Sequence, residues 1–133
     1  KELFEKIKSV NHYIFVHNVS STGKAFEIEE MEGKFGFDKN STLIVNPCIN
    51  IYNKKDPFFE LAESFLNYAL PFYVDLIINA DQIFLTDSSF FCLAMNLPIV
   101  TNKFYLKSRD SRDYSYLYKY INKRNTRKFI SLS

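Results

Sequence analysis

Three short runs, "HYIFVHN", "STLIVNP" and "QIFLT", are built almost wholly from β-branched and aromatic residues with little polar alternation. A strand with one face in water alternates apolar and polar residues, so an unbroken apolar run marks a strand covered on both faces. Between these runs lie segments of helical pattern. Strands buried on both sides and separated by helices imply an α/β fold, a Rossmann-like parallel sheet flanked by helices. Right-handed crossovers then bring every strand's C-terminal end, and the loop that follows it, to one edge. The loops after "YIFVH", "LIVN" and "IFLTD" therefore form one group, which places His17, Asn46 and Asp87 on the ligand-binding edge of such sheets.

The intervening segments predict the following elements. A first helix spans roughly residues 1 to 9, with Leu3, Phe4 and Ile7 on one side. "AFEIEEM" reads as a short strand or a helix, ending at a turn around Gly33 and Gly36. Asp56 followed by Pro57 is a helix start, because Asp caps free N–H groups and Pro tolerates the first turn. The helix "PFFELAESFLNYAL" follows and meets Pro71, where "PFYVDLIINA" begins another. Ser88 to Leu97 reads as a helix, "PIVT" as a short fourth strand, and residues of about 113 to 124 as a last helix.

At 133 residues the chain makes one domain, or one half of a two-domain protein. It begins on Lys1 inside an amphipathic pattern, and the expectation is a single domain over 1–133 preceded by an N-terminal half. Apolar residues at 47% are ample for a core, and charged residues at 24% are ordinary for a globular chain.

A net charge of +2 does not by itself argue for nucleic acid or membrane. Basic residues do gather in "NKFYLKSRDSRDYSYLYKYINKRNTRK". With Tyr114, Tyr116, Tyr118 and Tyr120 interleaved, this tail reads either as a solvated helix with snorkelling Lys and Arg, or as a weaker candidate for single-strand binding. The longest apolar stretch, "ALPFYVDLIINA", contains Asp75 and is too short to span a bilayer, and no signal peptide is visible. The expected location is cytoplasmic. Cys48 and Cys92 sit in apolar surroundings without CxxC spacing, so they are expected to be buried thiols rather than metal ligands.

Two junctions carry phosphate-binding chemistry. Asp87, Ser88 and Ser89 lie where a strand turns into a helix, where free N–H groups and hydroxyls suit an anion. The same residues serve equally as an ordinary helix cap. In "HNVSSTGKAF", Ser21, Thr22, Gly23 and Lys24 match the end of a P-loop. However, Asn18 stands where that motif has Gly, and Ala25 where it has Ser or Thr. His17 ends the first strand beside this donor-rich loop and is a candidate ligand contact, whereas His12 lies at the opposite end. No Ser–His–Asp order and no metal-ligand spacing is present, so no metal and no cofactor are expected.

The stretch "LIINADQIFLTDSSFFCLAMNLPIV" resembles the C-terminal nucleotide-sugar-binding domain of GT-B fold glycosyltransferases. The similarity is greatest to a set of bacterial and viral members loosely related to fucosyltransferases, with "HD…S.RGF.I" upstream and "A.EIH.IDSSF..L...L" downstream. In "VHNVSSTGKAFEI", His17, Ser21, Lys24, Phe26 and Ile28 align in kind, with Asn18 replacing an acidic residue and Lys24 standing for Arg. Downstream, Asp87, Ser88, Ser89 and Phe90 fit while Thr86 departs, and Tyr105, Lys107 and Arg109 resemble the segment after it.

The resemblance implies one half of a GT-B architecture, transferring a hexosyl or fucosyl-like sugar from a nucleoside-diphosphate donor to a glycan, lipid or protein acceptor. It further implies metal-independent leaving-group stabilisation, with the diphosphate on Ser88 and Ser89, Lys24 balancing its charge, and the acceptor's base supplied by the preceding half. Each dipole-type contact contributes roughly 0.3–1 kcal/mol, so several must act together to reach the ~8 kcal/mol of micromolar binding. Two other classes fit the residues: a non-catalytic nucleotide- or partner-binding α/β module, and a P-loop-like kinase or sulfotransferase.

Overall fold

In the computed structural model, which describes residues 5–7, 10, 12–20, 23–24, 27–86, 89–107 and 129–131, the elements run as follows. Strand β1 (Tyr13–His17) leads into a small hairpin, β2 (Val19–Ser20) and β3 (Gly23–Lys24), and then helix α1 (Ile28–Phe35). Next come β4 (Leu43–Val45), helix α2 (Phe59–Glu63), a 3₁₀ turn at Leu70–Tyr73, helix α3 (Val74–Asn79) and β5 (Gln82–Thr86). Helix α4 (Ser89–Ala94), β6 (Phe104–Lys107) and β7 (Phe129–Ser131) complete the described chain.

The three apolar runs are the central strands, and every residue of β1, β4 and β5 is buried. They belong to one five-stranded parallel sheet in the order β4-β1-β5-β6-β7. This is a Rossmann-like α/β fold. The order also explains where the helices lie. The chain steps from β1 to β4 in one direction, then crosses back over β1 to β5 and continues outward to β6. Because each crossover is right-handed, reversing the direction of travel reverses the face on which the connecting helix packs.

Side-chain contacts agree with that rule. Val16 pairs with Phe84 and Phe84 with Tyr105, so these three share a face. There Phe84 and Tyr105 stack at 4.8 Å, and Phe35 of α1 closes on Tyr105 at 4.4 Å. On the other face Phe15 meets Tyr73 at 6.0 Å and Phe90 of α4 at 5.9 Å. Burying each such ring contributes about 1.5–3 kcal/mol.

Residues 28–35 resolve as helix rather than strand because Ile28 and Met31 are buried at i, i+3 spacing, with Phe35 completing the stripe. Gly36 ends α1 in the left-handed region, φ 72°, with its N–H on the Glu32 carbonyl at 3.0 Å.

Several expectations are corrected. The helix expected from Pro57 to Leu70 is only α2, five residues long. Asp56 does not cap it: its carboxylate accepts the N–H of Asn53 at 2.9 Å, closing a turn before the helix. The segment past Ser64 unwinds to Asn67 at φ 65°, whose N–H reaches back to the Pro47 carbonyl at 2.9 Å.

"PIVT" is not a strand. Pro98 has no N–H to give, the Val100 N–H goes to the Ile78 carbonyl at 3.0 Å, and the Thr101 hydroxyl goes to the Asp81 carbonyl. The ladder resumes only at Phe104, so the fourth sheet strand is "FYLK", within what the sequence presented as a basic tail. Cys48 and Cys92 are both exposed, one in the loop leaving β4 and the other on the outer side of α4. The helices expected at 1–9 and 113–124 lie largely or wholly outside the described residues. Among those described, no helix is long and apolar enough to cross a membrane.

Candidate functional site at the C-terminal edge of the sheet

The reversal of direction in the sheet occurs between β1 and β5. Loops leaving those two strands diverge to opposite faces, and open α/β sheets bind ligands in the crevice this leaves. Among the described residues the buried polar side chains are His17, Asn18, Asn46, Gln82 and Thr86. All except Gln82 stand at the C-terminal ends of strands. Burying a polar group is costly unless it is hydrogen-bonded, so their collection at one edge marks where the fold tolerates polarity for a reason other than packing.

His17 is the last residue of β1 and only 5% exposed. Its ring packs on Phe90 of α4 with centroids 4.5 Å apart, which brings the first turn of that helix over the end of β1. Burial pushes the imidazole pKa down to about 4, so His17 is neutral at pH 7. It therefore brings no positive charge to this edge.

Asn18 and Asn46 form a buried amide pair, Asn46 Nδ2 donating to Asn18 Oδ1 at 2.9 Å. Asn46 Oδ1 in turn accepts the N–H groups of Cys48 at 2.9 Å and Ile49 at 3.3 Å. Asn46 therefore acts on the site by shaping the β4 loop. Thr86, fully buried at the end of β5, is in register with Lys107 at the end of β6.

Residues 19–20 and 23–24 pair as the antiparallel strands β2 and β3, with Val19 opposite Lys24 and Ser20 opposite Gly23, so Gly23 and Lys24 do not lead directly into a helix as they would in a P-loop. Lys24 thus sits in a strand, and α1 begins only at Ile28. By backbone position Lys24, Ser89 and Lys107 all belong to the C-terminal edge. Ser21, Thr22, Asp87, Ser88 and Arg109 lie outside the described residues. Tyr105 is core, 8% exposed beneath Phe35 and Phe84. His12 is at the other edge, its Nδ1 2.9 Å from Asp81 Oδ2.

A hollow of about 210 Å³ opens on the β4 side of β1, lined by Asn18, Glu27, Ile28, Glu29, Ile49, Asn50 and Ile51. It joins the start of α1 to the loop after β4. Asn50 holds the loop's shape, donating to the Phe59 carbonyl at 3.0 Å and to Glu63 Oε1 at 2.9 Å while accepting the Tyr52 N–H at 3.0 Å. No group of His, Cys, Asp or Glu able to hold a metal ion occurs among the described residues.

The chain matches no family model, no curated protein and no solved structure. The site therefore stands on its geometry. Sequence reasoning singled out His17 and Asn46 but passed over Glu27, Glu29 and Asn50, which line the hollow, and Thr86, which is buried at the same edge. Thr86 carried a usable signal, being the one polar residue ending an otherwise apolar strand. The carboxylates of Glu27 and Glu29 carried none, since acidic residues are common in the first turn of any helix.

Proposed function

We propose that this chain binds the diphosphate of a nucleoside-diphosphate sugar at the mouth between β1 and β5 and contributes leaving-group stabilisation to glycosyl transfer. The observation that carries the reading is the strand order, which makes that mouth the topological switch point. Around it end β1 with His17, β5 with Thr86 and β6 with Lys107, and α4 starts there with Ser89. The resemblance of the Asp87–Phe90 segment to GT-B donor domains supports the choice of ligand.

In this reading the N–H groups and hydroxyls at Ser88 and Ser89 receive the diphosphate, and Lys24 and Lys107 balance its charge. A base with a pKa of about 4 activates a hydroxyl poorly at neutral pH, so the group that deprotonates the acceptor is not His17.

Calorimetric titration with UDP, GDP and their sugar conjugates tests this. Saturable binding by one base, weakened at least about tenfold in a Ser88→Ala, Ser89→Ala double variant, is expected, equivalent to losing one charge-assisted hydrogen bond. Unchanged binding in that variant would leave the serines as helix caps and remove the proposal's phosphate site. Binding abolished by Lys24→Ala alone, with the serines indifferent, would return the hairpin loop to a kinase or sulfotransferase role.

A further inference from the structure

We infer that the Tyr52 hydroxyl is a latch closing the outer edge of β4, and that release of this latch lets the sheet pair with a second copy of the chain. The inference goes beyond ligand binding and does not rest on the donor-binding reading.

The sheet order leaves β4 last on its side among the described residues, with β1 on its one paired flank. Successive residues of a strand turn their N–H and carbonyl groups to opposite flanks. The Leu43 N–H turns inward, to the His12 carbonyl at 3.3 Å. The N–H and carbonyl of Ile44 therefore face outward, where a further strand would lie. Such an edge is a template for strand addition unless charge, Pro, a bulge or a cover blunts it. Leu43–Val45 carries neither charge nor Pro, and all three residues are buried. Protection has to come from a cover.

Tyr52 supplies it. The loop leaving β4 turns back on itself, shaped by Asn46 Oδ1 on the Cys48 and Ile49 N–H groups and by Asn50 Oδ1 on the Tyr52 N–H. This brings the Tyr52 ring, 4% exposed, edge-on to Phe58 with centroids 6.0 Å apart. Its oxygen accepts the Ile44 N–H at 2.9 Å, in the place of a neighbouring strand's carbonyl. Its proton goes to the Lys39 carbonyl at 2.8 Å, with the Thr42 carbonyl at 3.3 Å as a second acceptor. Because a hydroxyl donates and accepts at one atom, this single group ties β4 to the turn that precedes it. The turn is itself anchored to α1, the Lys39 N–H donating to Glu32 Oε2 at 2.7 Å. Burial raises the phenol above the ordinary tyrosine range, so the latch keeps its proton at neutral pH.

Symmetry identifies the occupant of an opened edge. Two β4 strands brought together antiparallel about a two-fold axis place Ile44 opposite Ile44, and the outward N–H of each copy meets the outward carbonyl of the other. No charge on β4 opposes that approach.

Tyr52→Phe keeps the ring and removes only the hydroxyl. Tyr13→Phe is the control: that phenol is buried to a similar degree, 6% exposed, but donates to the Leu76 carbonyl of α3 at 2.7 Å instead of to the β4 edge. Amide hydrogen exchange and sedimentation velocity are measured on the wild-type chain and both variants, from about 10 to about 300 μM, where a weak dimer dissociates. In the wild type the Ile44 amide is expected to be as protected as those of Leu43 and Val45. In dilute Tyr52→Phe it should exchange at least about tenfold faster relative to those two, the loss of one hydrogen bond. As the concentration rises this variant should sediment increasingly as a dimer, with the Ile44 amide protected again. Tyr13→Phe should sediment as the wild type does.

An Ile44 amide unprotected in the wild type overturns the inference, as does one that exchanges no faster in Tyr52→Phe. So does a Tyr52→Phe chain that sediments like the wild type, or a Tyr13→Phe chain that associates as strongly. A Tyr52→Phe chain that does not fold would make the hydroxyl a requirement of the fold and not a latch, which also overturns it.

Discussion

The two histidines at the ends of β1 show how differently the two edges of this sheet are built. His12, just before the strand, is 70% exposed and meets an Asp81 carboxylate that is itself 44% exposed. His17, five residues later, is 5% exposed, packed on an aromatic ring and held neutral. The strand is the same, and so is the side chain. What differs is which loops arrive: at the N-terminal edge they only tie β1 to β5, whereas at the C-terminal edge they part and the polar groups are walled in. Polarity at the first edge is solvated and energetically cheap, while at the second it must be satisfied by protein or by a ligand.

The contrast can be broken hardest at Asn46. Asn46→Ala would leave Asn18 Oδ1 and the Cys48 and Ile49 N–H groups without their present partner, at an expected cost of about 3 kcal/mol in urea unfolding. A cost under about 0.5 kcal/mol would show that the C-terminal edge is as wet as the other.

His17 gives the next largest effect. Its pKa is lower in the folded chain than in the unfolded one, so between pH 6.5 and about 4 the unfolded state binds more protons. Stability is therefore full above pH 6.5, falls as pH drops towards 4, and levels off below it, a loss of about 3 kcal/mol from this group. In His17→Phe that part of the pH dependence should vanish. If the slope survives the substitution, His17 is not buried as described.

At the opposite edge, Asp81→Asn should cost less than about 1 kcal/mol and less still in high salt, because both partners of the pair are solvated. A larger loss would mean that the N-terminal edge, too, depends on a specific polar contact. Gly36→Ala probes neither edge. It should destabilise by about 1 kcal/mol through the φ of 72° alone, since a Cβ there meets nothing within 4 Å.

Much of this was legible in the chain. The runs at 13–17, 43–45 and 82–86 could be read as central strands because burial on both faces leaves an unbroken apolar signature. The helical start at Ser89 was legible because a small polar cluster separates it from β5. Other features were hidden for identifiable reasons. "FYLK" was masked by the Lys and Arg around it, although its own Phe104, Tyr105 and Leu106 are buried on both faces. Asp56-Pro57 imitates a helix cap, but the carboxylate found the nearer Asn53 N–H first. The pairing within "VSSTGK" was hidden because residue identity does not reveal that Val19 and Lys24 stand opposite each other on antiparallel strands.

By itself the sequence determined the class of the fold, the identity of the inner strands and the edge at which the loops after those strands gather. All of these follow from local periodicity and the handedness of the L-amino-acid backbone. Only the tertiary structure decided that β4 lies on one side of β1 and β5 on the other. That choice depends on long-range packing of Phe15, Phe84, Phe90 and Tyr105, which no short window contains. It is what separates a crevice at His17 and Thr86 from a hollow at Glu27 and Glu29, and gives two neighbouring loops different chemistry.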